Sequence, residues 1–411
     1  MAFNIWIGIL AFLFVYNVPI AFLPISSSKI VVIILLVWST FKGEIRIGKK
    51  SIKPVIWIII LIFYSFIVAI LNSSGDYSLI YSEILFVINH TMGSLLFANV
   101  LYHYKKLSIR YILKMLVYIA VVQAIIIILM IVSASFYSIV ANLSPLATRN
   151  SIYLRYGGAR GYGLAQSITY DLAVVQSFAL LFIVYLFPEF RKNEPKLFTI
   201  YYLLICFSIT VTGRTAFIGI LLSILLKIVY TNKLSKKGVN RAVTTFGVGV
   251  IALSIGMNYL QNTSFYSNLI KYIFEFRISG GIASTSTGSN IIKMFDTFKT
   301  ITWKSFIFGD GRYKGEGVYY YINVDVGFFR PIYYFGMIGL VILLIAYWSI
   351  YKTTIRNVLD NRFKKMWVLF FIYVLIANIK GDFILGCGMA ICEILLIYFA
   401  SYSHKRLAEN G

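Results

Sequence analysis

Acidic residues are scarce in this 411-residue chain: Asp and Glu number 15 against 38 Lys and Arg, a net charge of +23. Cysteine is scarcer. Cys206, Cys387 and Cys392 lie in or beside apolar runs, where a thiol behaves as a small hydrophobe, and they form neither a disulfide framework nor a zinc spacing. Charge of any kind is thin, at 13% of residues, while 59% are hydrophobic, which excludes an ordinary soluble domain. There is no sequence repeat and no low-complexity tract.

What is present is a series of apolar blocks, each close to the ~20 residues that cross a bilayer core. The blocks predict an all-α integral membrane protein, a single polytopic domain over 1–411 with about twelve transmembrane helices: 3–23, 27–41, 54–71, 80–101, 111–133, 168–187, 198–212, 215–230, 242–260, 328–350, 366–379 and 383–400. The first is long and lacks a small-residue cleavage site after it, so it reads as an uncleaved helix. Two long stretches remain between blocks, 134–167 and 261–327.

The excess of positive charge suggests nucleic acid at first, but its distribution does not. Of the 38 Lys and Arg, 24 fall in short loops on one side, at 42–53, 102–114, 188–197, 227–241 and 351–365, and in the C-terminal tail. Such loops are retained in the cytoplasm. Both termini are then cytoplasmic, the two long stretches are external loops, and the charge is topology and attraction to anionic membrane lipid, with no nucleic-acid partner.

The first external loop contains NLSPLATRNSIYLRYGGARGYGLAQS, from Asn142 to Ser167, with Arg149, Arg155 and Arg160 and no acid. Two readings stand for these arginines: solvated loop charges, or phosphate ligands beside a glycine-rich backbone. Arg214, in the short turn Thr210–Thr215 between two spans, is held at the outer membrane boundary, where an ionisable group is a site candidate or a snorkelling side chain.

In the second loop, Ile291, Met294, Phe295, Phe298, Ile301 and Phe306 follow helical spacing, predicting an amphipathic interfacial helix over 290–306 with Trp303 near its end. Gly309, Asp310, Gly311 and Arg312 follow, then Tyr319, Tyr320 and Tyr321, which suit either a sugar platform or an interfacial belt. Asp325 and Arg330 precede the next span, where Pro331 suits a helix start. Among ionisable groups inside the apolar blocks, Glu83 and His90 are seven residues apart and expected on one helical face; Lys380, Asp382 and Glu393 fall at or near the last two spans. Structural bundle contacts and a proton relay are both open to them.

The Thr-Gly-Arg-Thr turn at 212–215 and the stretch FIFGDGRYKGEGVYYYINVDVGFFRPIYYFGMIGL from Phe306 to Leu340 resemble the O-antigen polymerase (Wzy-type) and O-antigen ligase superfamily. The resemblance implies a multispan glycosyltransferase that polymerises undecaprenyl diphosphate-linked oligosaccharide repeat units at the outer face of a bacterial plasma membrane, the inner membrane in a Gram-negative cell. The product would be an O-antigen, capsule or exopolysaccharide, and the partners a flippase and a chain-length regulator. Ligases of the superfamily carry a functional His in the large loop. Here that place holds Asp325, which favours the polymerase branch. Polymerases are also described with Arg-x10-Gly in both loops; Arg277 and Gly288 fit, whereas Arg149 and Gly161 are one residue too far apart.

In that chemistry a sugar hydroxyl attacks the anomeric carbon of the growing chain and the lipid diphosphate leaves. Arginines can stabilise the developing charge without a metal or cofactor. The expected catalytic residues are Arg214 and Arg330 on the diphosphate and Asp325 on the acceptor hydroxyl. Arg149, Arg155, Arg160, Arg277, Arg312 and Tyr320 are expected to bind substrate. A lipid-linked oligosaccharide flippase or transporter, or a ligase, is the alternative.

Overall fold

The computed structural model describes residues 2–42, 49–104, 108–144, 161–167, 170–231, 286–315, 321 and 326–409. Among these, sixteen α-helices follow one another: α1 (Ala2–Tyr16), α2 (Ser27–Lys42), α3 (Lys53–Leu71), α4 (Ser78–Leu85), α5 (Met92–His103), α6 (Ile109–Val132), α7 (Ala134–Leu143), α8 (Tyr170–Tyr185), α9 (Phe187–Asn193), α10 (Pro195–Thr212), α11 (Phe217–Thr231), α12 (Ser286–Phe298), α13 (Trp303–Phe308), α14 (Phe329–Asn357), α15 (Asn361–Lys380) and α16 (Gly388–Glu409). A π-helical turn, Phe86–Thr91, joins α4 to α5.

Five of these segments are long and apolar enough to cross a membrane: Lys53–Leu71, Ser78–His103, Ile109–Val132, Pro195–Thr212 and Phe329–Asn357. Five more apolar helices are 10–17 residues long. Their outward faces are apolar too: on α3, Phe63 and Leu71 are 67% and 77% exposed. A helix with greasy side chains on both its packed and its open face suits lipid better than water.

The described helices depart from the sequence expectation in several places. The first block, expected over 3–23, ends at Tyr16, because Asn17 turns to φ 47° and Pro19 and Pro24 cannot continue a helix. The stretch expected to open an external loop at 134 starts with α7, capped where the Ser133 hydroxyl accepts from Phe136 N–H at 3.2 Å. The amphipathic helix expected over 290–306 is two helices, α12 and α13, because Thr302 restarts the chain as an N-cap, its hydroxyl accepting from Ser305 N–H at 3.1 Å. The block expected over 242–260 lies outside the described residues.

The chain divides into two compact units. The first comprises Met1–Ile30, Arg110–Ile278 and Asp360–Tyr373; the second comprises Val31–Ile109, Ser279–Leu359 and Val374–Gly411. In the first, α8 is buried on every side from Leu172 to Tyr185, the pattern of a central helix. Its one amide is satisfied: Gln176 accepts from the Tyr16 hydroxyl and donates to Ala120 O, both at 3.2 Å. Phe178 packs on Phe370, ring centroids 4.4 Å apart.

In the second unit α16 is the buried element, packed on α5, the π-turn and α14. Asn357 of α14 donates to the Ser401 hydroxyl at 3.3 Å, and the Tyr398 hydroxyl donates to Ser51 O at 3.0 Å. The longest partnership is α14 with α3. A small outer core forms where Met294, Phe298 and Ile301 pack on Val326, Phe329 and Tyr333, with the Phe298 and Phe329 rings stacked at 3.9 Å.

Candidate functional site

The site is built in the second unit, around a break in α14. Gly336 has φ 68° and ψ −174°, a conformation essentially restricted to glycine, and interrupts the helix. Two loop N–H groups fill the gap: Asp310 N–H donates to Tyr333 O at 2.7 Å and Gly311 N–H to Tyr334 O at 2.9 Å. The loop comes close enough to do so because Gly309, which ends α13, adopts a matching φ 84° and ψ 168°. The segments 309–311 and 333–336 are therefore the two sides of one backbone clasp.

The clasp is tied to the turn after α3. Asn72 donates to Gly309 O at 3.3 Å, and the Tyr334 hydroxyl donates to Asp76 O at 2.7 Å. The Asp76 carboxylate accepts from the backbone N–H groups of Tyr313 and Lys314, each at 2.6 Å, and from both the hydroxyl and the N–H of Ser78. Burial pushes the Asp76 carboxyl up, but the Ser78, Lys314 and Tyr313 donors outweigh it and hold its pKa below the ordinary carboxylate value.

Held in this way, Tyr313 points its ring and hydroxyl at two charges. The Arg330 guanidinium lies over the ring, 4.2 Å from the centroid, and the hydroxyl donates to Asp382 Oδ2 at 2.6 Å. Asp382 sits in the non-helical turn between α15 and α16, where its Oδ1 accepts from Leu385 N–H at 3.3 Å. Asn378 braces the same turn by accepting from Phe383 and Ile384 N–H at 2.8 and 3.1 Å. Burial raises the Asp382 pKa; Arg330, the Tyr313 hydroxyl and the N–H groups of Leu385 and Gly386 oppose it without cancelling it. Arg330 is half-buried in the first turn of α14, and Gly327 just before it lies against Gly381 O and Asn378 O with no room for a side chain.

Arg312 is exposed on the same strap, and its charge acts on Tyr321, whose N–H donates to Tyr313 O at 3.1 Å. Below lies Glu83. It accepts from the Ser65 hydroxyl at 2.7 Å, feels the charge of Asp382, and leaves Oε2 without a hydrogen-bond partner among the described residues. His90 lies within the π-turn, and the two side chains meet different elements, Glu83 the Ser65 of α3 and His90 the Cys392 of α16. His90 meets Cys392 Sγ and Asn89, each at 3.3 Å.

No family model and no curated protein matches this chain. The reading of the site therefore stands on its own residues. Of the nine expected site residues, Arg214, Arg312 and Arg330 are described; Arg149, Arg155, Arg160, Arg277, Tyr320 and Asp325 lie outside the described residues. Arg312 and Arg330 both belong to the second unit, one beside Tyr313 in the chain and one stacked on it.

Arg214 belongs to the first unit. It is half-buried in a 3₁₀ turn, Arg214–Ala216, that follows extended Gly213. The Thr212 hydroxyl donates to Ser208 O at 2.7 Å, and Tyr373 hydrogen-bonds both Ser177 Oγ, at 2.7 Å, and Thr215 O, at 3.4 Å. Gly161, the first described residue after the first glycine-rich stretch, donates to Val211 O at 3.3 Å.

Tyr313, Asp76 and Asp382 were missing from the sequence-based site. Asp382 carried one signal, an ionisable group beside an apolar block. Tyr313 and Asp76 carried none.

Proposed function

We propose that the chain is a polymerase of oligosaccharide repeat units carried on undecaprenyl diphosphate. It would act as a metal-independent glycosyltransferase at the outer face of a bacterial plasma membrane, with both termini cytoplasmic. The observation that carries this reading is Arg330, a cation stacked on Tyr313 and steadied through it by buried Asp382. A guanidinium fixed in orientation binds a diphosphate in a planar, two-pronged way, and fixing it before reaction makes it effective as negative charge develops. The twelve-span arrangement and the assignment to O-antigen, capsule or exopolysaccharide synthesis, with a flippase and a chain-length regulator as pathway partners, belong to the same proposal.

In the proposed reaction the acceptor hydroxyl forms a new C–O bond at the anomeric carbon of the growing chain, while the bond from that carbon to the diphosphate oxygen breaks. Arg330 and exposed Arg312 receive the diphosphate. Asp325, five residues before Arg330, takes the hydroxyl proton, and Tyr320 and its neighbours offer aromatic faces to sugar. Loss of one such fixed donor removes roughly 3–4 kcal/mol from the transition state, a rate loss of 10²–10³. In cells, Arg330→Ala with normal protein level should convert a ladder of long surface polysaccharide to single repeat units. An unchanged ladder would remove Arg330 from the site.

One observation favours a second reading, a transporter. The Oε2 atoms of Glu83 and Glu393 are buried without a hydrogen-bond partner among the described residues, as protonatable relay groups would be. Glu83→Gln separates the two: a transporter would lose all surface sugar, whereas the polymerase would keep its ladder.

A further inference from the structure

The first unit contains a cavity of about 530 Å³ that the polymerase reading does not use. Its walls come from the end of α8, from α9 and α10, from the end of α11 and from the start of α15. Four cations line it, Arg191, Lys192, Lys227 and Arg362, and no acid is among the lining residues. Arg191 and Lys192 are exposed at the rim, while Lys227 and Arg362 are half-buried in the wall.

The cations are set against aromatic faces. The Arg362 guanidinium lies 4.4 Å from the Tyr230 ring centroid, and Tyr230 is fixed by its hydroxyl donating to Arg362 O at 2.7 Å. Lys227 Nζ lies 5.9 Å from the Phe187 ring, which packs on Phe198 with centroids 4.8 Å apart. Stacking orients a guanidinium and leaves its N–H edge available. Arg362 Nε is buried and has no hydrogen-bond partner among the described residues.

Asp360 and Glu189, neighbours in sequence of the lining residues, have partners of their own. Asp360 accepts from the Tyr185 hydroxyl and from Arg362 N–H, both at 2.8 Å, and faces Arg110 at 3.8 Å. Glu189 pairs with Lys114 at 3.4 Å. Like charges gathered round a hollow favour the entry of an anion, and a phosphate group suits a fork of arginine and lysine donors. The sequence stretches 188–197, 227–241 and 351–365, to which the lining cations belong, carry the Lys and Arg bias of a cytoplasmic face.

We propose that this cavity is a binding site for a phosphate group at the inner surface of the membrane, with Arg362 and Lys227 as its principal ligands and Arg191 and Lys192 at its mouth. Anionic phospholipid headgroups and free phosphate share this chemistry. Basic pockets between helices at the cytoplasmic side suit such headgroups, and the Phe187 and Phe198 wall suits the start of an acyl chain. The site is independent of the polymerase reading, and its test does not use activity.

The experiment is lipid retention and thermal unfolding of the purified full chain in neutral detergent. The probes are phosphatidylglycerol, phosphatidylcholine and inorganic phosphate, each added separately. Phosphatidylglycerol should be retained and should raise the midpoint where phosphatidylcholine does not. Replacing Arg362 and Lys227 by Gln should weaken retention about tenfold or more, the equivalent of one charge-assisted contact. Arg191→Gln with Lys192→Gln, at the exposed rim, should weaken it less and leaves the wall intact if the first variant fails to fold. Protection by inorganic phosphate alone, lost in the same variants, would assign the site to a free anion. Equal behaviour of the wild type and both variants toward every probe would overturn the proposal.

Discussion

Gly309 and Gly336 face each other so closely that a methyl group on Gly309 would sit 2.7 Å from the Gly336 nitrogen and 2.2 Å from Tyr334 O. A methyl on Gly336 would sit 2.1 Å from Ile307 O. Both obstacles are backbone, and both glycines hold backbone angles that other residues avoid, at a penalty of about 1–3 kcal/mol each before the clash is counted. Gly309→Ala and Gly336→Ala should each lower the thermal midpoint in detergent by several degrees or prevent accumulation. Gly8→Ala, with nothing within 4 Å of the new methyl, should be neutral or slightly stabilising. Wild-type midpoints for all three would mean that the clasp is not closed.

Tyr313 and Asp382 give a second test. Tyr313→Phe keeps the ring under Arg330 but removes the hydroxyl from Asp382, and a hydrogen bond to a charged group contributes about 1.5–3 kcal/mol. Asp382→Asn should cost less, because the carboxamide oxygen can still accept from the Tyr313 hydroxyl. The double variant should be less destabilised than the sum of the two, by about 1 kcal/mol or more, in unfolding measurements. Strict additivity would show that the two side chains do not interact.

The carboxyls of Asp76 and Asp382 have opposite pH signatures. The folded-state pKa of Asp76 lies below its ordinary value, so the stabilisation is fully present above that value, 3.8, and is lost as pH falls through the folded pKa. That of Asp382 lies above its ordinary value, so its contribution is fully present below 3.8 and is lost as pH rises through the folded pKa. Midpoints measured across the acidic range should show Asp76→Asn removing the neutral-side gain and Asp382→Asn removing the loss on the alkaline side. The same slope in both variants would contradict the assignments.

The long apolar blocks make most helices legible in the sequence, because burial in lipid needs unbroken runs and the runs are there. Boundaries were less legible where one residue decides them, as with Thr302 restarting a helix or Asn17 ending one. The run Gly309, Asp310, Gly311, Arg312 stands out in the sequence, yet its role does not: Asp310 meets Tyr333 and Gly311 meets Tyr334 only once the chain folds back. Tyr313 and Asp382 are 69 positions apart, and neither spacing nor composition links them. The π-turn at Phe86–Thr91 leaves one trace in the sequence, the polar run Asn89, His90 and Thr91 inside an apolar block, which does not by itself announce an extra residue in the turn.

Arg214 invites a paired test in the first unit. Tyr373→Phe removes the hydroxyl that bridges Ser177 and the turn carrying Arg214, and should lower stability by about 1 kcal/mol without altering the length of any polymer made. Arg214→Ala, at a normal protein level, should shorten the polysaccharide to single units. A full ladder in Arg214→Ala cells would make the arginine a boundary anchor.

The most direct measurement is reconstitution of the purified chain in liposomes with one undecaprenyl diphosphate-linked repeat unit, followed by separation of the products by length. Wild-type protein should give a ladder, and Arg330→Ala should give unreacted single units at the same protein level. A ladder of normal length from Arg330→Ala, or none from the wild type with any lipid-linked unit offered, would contradict the account.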